Sequence, residues 1–141
     1  ITPDLIPDEA GAWLAAADTH HLDRVFLVAP SSTDARITAT ARASRGFVYA
    51  ASTMGVTGTR DSVSGAAETL VARVRSLAPD IAVCVGLGVS NGDQAAEVAA
   101  YADGVIVGSA FVRRLLDAPD AAGVAAVREL AADLAAGVRR R

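Results

Sequence analysis

Residues 81–109 read IAVCVGLGVSNGDQAAEVAAYADGVIVGS, and the fold turns on this stretch. Residues 81–85 are a short, continuous apolar run, the pattern of a strand buried in a sheet. Gly86-Leu87-Gly88 interrupts it. Asn91 with Gln94 three residues later is a capping-box pattern, which opens a helix to about Tyr101. Residues 104–107 are again apolar and strand-like, and Gly108-Ser109 begins another helical stretch. Two such strands joined by a helix pair in parallel, because parallel neighbours need a long crossover rather than a tight turn.

Working outward, the same alternation repeats. Residues 8–19 place Trp13, Leu14 and Ala17 at helical spacing, with Pro7 and Asp8 as opening residues and His20 and His21 at the polar end. Residues 24–29 form an apolar run stopped by Pro30 and read as a strand buried on both faces. Ser31, Ser32 and Thr33 are capping candidates for a short helix through Ala43, and residues 47–51 are the next strand. Residues 52–60 are too rich in Gly and Thr for regular structure. Between residues 62 and 77, Val63, Ala67, Leu70, Val74 and Leu77 share one helical stripe, with Glu68, Arg73 and Arg75 off it. Val124, Val127, Leu130, Leu134 and Val138 place a last amphipathic helix against the sheet. Units of roughly 25 to 35 residues, each a strand and a helix, imply a parallel α/β sheet. A doubly wound open sheet and an arc of a (β/α)8 barrel both satisfy this pattern.

Composition limits the function classes. The chain has 141 residues, 52% of them hydrophobic, enough for one domain with a core and unlike a disordered segment. Alanine dilutes the hydrophobicity, so no segment reaches the run of about 18 apolar residues that spans a membrane. No charged-then-apolar leader is present at Ile1, and the one cysteine, Cys84, excludes an internal disulfide framework, so a cytoplasmic location is expected. Net charge is −3, and the Arg139-Arg140-Arg141 run reads as a solvated helix end, without the basic face or stacking aromatics of a nucleic-acid surface.

In either architecture, ligands bind at the carboxyl ends of the strands. Three of those ends are glycine-rich: Gly55 to Gly58, Gly86 to Gly88, and Gly108-Ser109. Glycine lets backbone N–H groups approach an anion, and a helix opening at Ser109 adds its positive dipole end. Any one of these is an ordinary strand-to-helix turn; three at successive ends favour a phosphate site. Gly86-Leu87-Gly88 lacks the third glycine of a dinucleotide fingerprint, because Asn91 stands there, and the chain has no lysine for a P-loop. No metal set is legible: His20 and His21 share a helix end, and Cys84 sits mid-strand as an apolar thiol. Carboxylates are absent from the glycine-rich ends except Asp61, which reads as the opening of the next helix. Tyr49, near its strand's end, is the ionisable side chain best placed for chemistry.

Three segments together, residues 47–58 (FVYAASTMGVTG), 85–90 (VGLGVS) and 102–110 (ADGVIVGSA), closely resemble the tryptophan synthase alpha family, in its actinobacterial form. The opening residues 1–7 (ITPDLIP) and 26–30 (FLVAP) resemble it too, so the likeness runs the length of the chain. The resemblance implies a (β/α)8 TIM barrel that cleaves indole-3-glycerol phosphate to indole and glyceraldehyde 3-phosphate. It implies that indole passes to a pyridoxal-phosphate beta subunit, and that the alpha part needs no cofactor or metal of its own. On this likeness Gly58, Gly88, Gly108 and Ser109 match phosphate-binding positions. Tyr49 matches an active-site tyrosine, Thr57 a loop threonine that engages a catalytic aspartate, and Leu87 an apolar wall of the indole pocket.

The family's catalytic glutamate and aspartate belong to its second strand and the loop after it. The present strands resemble the fifth to eighth, so residues 1–141 are expected to form a single partial barrel, the C-terminal half, inactive alone. A whole barrel takes about 250 residues. The expected partners are indole-3-glycerol phosphate, the beta subunit, and either the missing N-terminal half or a second copy meeting the open strand edges. A non-catalytic phosphate-binding half-barrel is the alternative. Another phosphate-binding barrel, an epimerase or isomerase, fits residues 49–58 poorly.

Overall fold

Four parallel strands lie side by side in chain order: β1 (Leu27–Val28), β2 (Phe47–Ala51), β3 (Ala82–Gly86) and β4 (Gly104–Ile106). The computed structural model describes residues 1–51, 60–86 and 88–140, with residues 60–64 described by their backbone alone. Helices α2 (Asp34–Ala43), α3 (Arg60–Leu77) and α4 (Gly92–Ala99) connect the successive strands. A 3₁₀ turn (Pro7–Glu9) and α1 (Gly11–Thr19) precede the sheet, while α5 (Ser109–Asp117) and α6 (Asp120–Val138) follow it. This order chooses between the two architectures. A doubly wound sheet reverses direction partway, whereas strands added one after another on the same side build a barrel arc.

Register fixes two unlike faces. Val28, Ala50, Val85 and Val105 are partners across the sheet, as are Val48 and Val83. Val28, Val48, Ala50, Val83 and Val85 are buried and join Ile37 and Ala41 of α2, and Leu70, Val71 and Val74 of α3, in one core. Removing a side chain such as Ile37 or Leu70 from water stabilises the fold by roughly 1.5–3 kcal/mol. The other face carries the row Leu27, Tyr49, Cys84 and Gly104, and these are half-buried. The sequence pattern predicts strands buried on both faces. Here the helices pack on the face of Val48 and Val83, and the opposite face is covered less.

Helix ends follow local chemistry. The Thr33 hydroxyl accepts from the Arg36 N–H (3.3 Å) and caps α2. Arg73 of α3 donates to the Pro30 and Ser32 carbonyls and to Asp34, pinning the β1–α2 turn. Asp103 accepts from Val83 N–H (2.8 Å) and from Arg75 (2.8 Å), so the turn into β4 is tied to the start of β3. Several predicted boundaries move. The strand at 24–29 shrinks to Leu27–Val28, which has a partner strand on one side only among the described residues. The helix at 8–19 divides at Ala10, and Trp13 stays 39% exposed, with Ala17 the buried residue of α1. On α6, Leu130 and Leu134 are buried but Val124 is exposed.

Candidate functional site

At the carboxyl edge of the sheet, β3 and β4 end in turns that converge. Gly88, two residues past β3, has φ +66°, a left-handed backbone that a side chain would strain. Gly108 is the N-cap residue of α5 and gives it no side-chain cap. Its carbonyl accepts from Phe111 N–H (3.0 Å) and Val112 N–H (3.2 Å), and the N–H groups of Ser109 and Ala110 have no acceptor among the described residues. A cavity of about 400 Å³ opens there, lined by Gly88, Ser90, Ser109, Ala110, Arg113 and Arg114. Two of the glycine-rich strand ends therefore share one hollow that offers backbone donors, a hydroxyl and two guanidinium groups.

The neighbouring helix start is already filled. Asn91 caps α4 by accepting from Gln94 N–H (2.9 Å), and the Gln94 side chain accepts from the N–H (2.8 Å) and hydroxyl (3.1 Å) of Ser90. The Asp133 carboxylate accepts from Gly92 N–H (2.6 Å). The capping box read from Asn91 and Gln94 thus exists, with the return bond made one residue earlier, at Ser90. Its consequence is that α4 has spent the Gly92 and Gln94 N–H groups on protein acceptors, a carboxylate among them. An anion has its free donors at α5 instead.

Gly86 has a different task from Gly88. A Cβ on Gly86 would fall on the hydroxyl and ring of Tyr49, so the bare glycine makes room for that ring at the end of β2. The register explains the meeting, because Tyr49 pairs with Cys84 and Ala51 with Gly86, all on the less covered face. Cys84 lies on the same row, its Sγ 2.6 Å from where a Cβ on Gly104 would stand. Burial, with a smaller contribution from the Asp103 charge, pushes the Cys84 thiol above its usual range, which keeps it protonated and poorly nucleophilic at neutral pH.

Among the described residues, then, Gly88 and Ser109 share the cavity lining, Gly108 precedes Ser109 as the N-cap of α5 without lining it, and Tyr49 lies over Gly86 outside the lining. Thr57, Gly58 and Leu87 lie outside the described residues. Ser90, Arg113 and Arg114 escaped the sequence reading. Their one sequence signal is spacing, since Arg113 follows Ser109 by four residues and so shares its helix face. Among the described residues no group of His, Cys, Asp and Glu is arranged to hold a metal, and no helix is long and apolar enough to cross a membrane. A cavity of about 440 Å³ lined by Thr38, Arg42, Ser44 and Asp80 lies at the amino ends of β2 and β3, the end of such sheets that serves stability rather than ligand binding.

Comparison with known proteins places this geometry in context. The family model for the tryptophan synthase alpha chain matches residues 1–138. The tryptophan synthase alpha chain of Mycobacteroides abscessus is 69% identical over 140 residues, covering 99% of this chain and 51% of that protein. That of Thermobifida fusca is 63% identical over 142 residues, covering 99% of this chain and 53% of that one. Among solved structures, tryptophan synthase from Mycobacterium tuberculosis superposes with a TM-score of 0.83 at 59% identity, over 98% of this chain and 50% of that chain. The present chain spans about half the length of the curated relatives it matches. Its sheet is accordingly half of their TIM barrel.

Proposed function

The chain belongs to the tryptophan synthase alpha chain family, a lyase family of tryptophan biosynthesis, and from that premise we propose that it supplies the phosphate-holding half of an indole-glycerol-phosphate lyase. The observation that carries this reading is the convergence of Gly88 and Ser109 on one cavity beneath the uncapped start of α5. A phosphate monoester seated there accepts from the Ser109 and Ala110 N–H groups and the Ser109 hydroxyl, with Gly108 and Gly88 keeping the approach open; Gly58 is the further phosphate-binding position that the family resemblance implies. Tyr49 borders the reacting carbons, Leu87 forms an apolar wall for the indole ring, and Thr57 belongs to the loop that positions a catalytic carboxylate.

Aldol-type cleavage of indole-3-glycerol phosphate breaks the bond between indole C3 and the glycerol phosphate. One group must protonate C3, and another must take the hydroxyl proton as the aldehyde of glyceraldehyde 3-phosphate forms. No Asp or Glu lines the cavity with Gly88 and Ser109. On the family resemblance the proton-transfer carboxylates belong to the second strand and the loop after it, whereas these strands match the fifth to eighth, so the chain is expected to work with a complementary half. The product indole passes to a beta subunit, where pyridoxal phosphate does the later chemistry. The alpha half uses no cofactor of its own and works in the cytoplasm.

Indole release from indole-3-glycerol phosphate tests the reading directly. These 141 residues alone are expected to give no turnover, and addition of the complementary half to restore it. Substantial turnover by the chain alone, or none from the two halves together, overturns the proposal. A second reading, a non-catalytic half-barrel that pairs with its own copy, is favoured by the partly open face bearing Leu27, Phe47, Tyr49 and Ile106.

A further inference from the structure

We propose that Arg113 is the side-chain cation of the phosphate site, selecting a doubly charged phosphate monoester over neutral or singly charged ligands; this rests on the phosphate reading of the cavity given above. Arg113 and Arg114 line that cavity together with Gly88 and Ser109. Arg113 stands one turn after Ser109 on α5, and long helical side chains lean back toward the helix N-terminus, so its guanidinium is carried toward the free N–H groups.

The charge balance around α5 is what makes this more than proximity. Helices α2, α4 and α6 each place an aspartate in the first turn, Asp34, Asp93 and Asp120, as the positive end of a helix dipole favours. The first turn of α5 has no acidic residue, and two arginines follow it directly. Arg24, Arg45, Arg73, Arg75 and Arg140 are all ion-paired, whereas Arg113 and Arg114 have no ion-pair partner among the described residues. Arg36, Arg42, Arg128 and Arg139 also lack one, but Arg42 and Arg139 line cavities at the amino ends of the strands, and Arg36 and Arg128 do not line the cavity at Gly88 and Ser109. Among the described residues, unpaired guanidinium groups, an uncapped helix start and a hollow coincide at α5. A phosphate dianion compensates all of them at once, and arginine matches its geometry through two parallel N–H bonds.

Titration of the chain with glycerol 3-phosphate, with glycerol as the uncharged probe, tests the assignment by calorimetry or amide chemical shifts. Arg113→Gln is expected to weaken glycerol 3-phosphate binding about tenfold, the worth of a charge-assisted hydrogen bond. Arg113→Lys should recover part of the loss, and Arg113→Gln should flatten the salt dependence. Arg42→Gln, with the same change in net charge at the far end of the sheet, should bind as the unsubstituted chain does. Equal binding by Arg113→Gln and Arg42→Gln overturns the role of Arg113 and leaves the phosphate site standing. A larger loss with Arg114→Gln than with Arg113→Gln also overturns it. No binding of glycerol 3-phosphate by the unsubstituted chain overturns both the role and the site.

Discussion

Tyr49 and Gly86 meet only because a parallel register brings the end of β2 beside the end of β3. A methyl group on Gly86 must push the tyrosine ring aside, since it would stand on the ring itself. Gly86→Ala is therefore expected to displace Tyr49 and to destabilise the chain by about 1–3 kcal/mol, the range for an overpacked site. Shortening the ring removes the conflict. In a double-mutant cycle with Tyr49→Ala, measured by urea denaturation, the pair should cost less than the sum of the two single changes. Strict additivity would show that the two residues do not touch. At this scale the sequence is legible in part. Glycine enrichment at the strand ends is visible in the letters 86 to 88 and 108. That Gly86 houses a ring while Gly88 turns the backbone is not visible, because both tasks select the same residue. The role of Arg113 is equally hidden, since an arginine on an amphipathic helix reads as solvated until a cavity is found beside it.

Helix α6 shows what an element conceals. Its apolar stripe is read correctly at Leu130 and Leu134, yet a tight contact with α4 is made by Gly137, which carries no hydrophobic signal. A Cβ there would fall on the Gly92 carbonyl, a backbone atom that cannot swing away as a side chain can. Asp133, one turn earlier on α6, accepts from the Gly92 N–H and locks the same contact. Gly137→Ala is thus expected to force α4 and α6 apart at a cost of about 2 kcal/mol, despite alanine's higher helix propensity. Chemical denaturation reads this out, and a stabilised variant would contradict the close packing. The strands and most helices are legible because apolar period and capping residues agree along the chain. Helix-to-helix contact is not, because closeness depends on what side chains lack.

For the whole molecule, the decisive property is a sheet whose edge strands, β1 and β4, each pair on one side only among the described residues. Backbone groups on the outer edges of β1 and β4 and the half-covered row from Leu27 to Gly104 are what a strand partner meets. The isolated chain is expected to associate at high concentration, with a melting temperature that rises with concentration as linkage requires. Sedimentation measures this, and a monomer with a concentration-independent melting temperature would count against the open edges as binding surfaces. The repeat of strand and helix discloses a parallel sheet at once, whereas closure depends on strand order, which only the three-dimensional pairing supplies.

The sequential order of the strands has a kinetic consequence. Among the described residues each strand pairs with the strand just before or after it in the chain, so the sheet is assembled from neighbouring strand–helix units. Synthesis delivers the strands in the order in which they pair. The sheet can grow one edge at a time as the ribosome releases it, each new strand finding its template already in place.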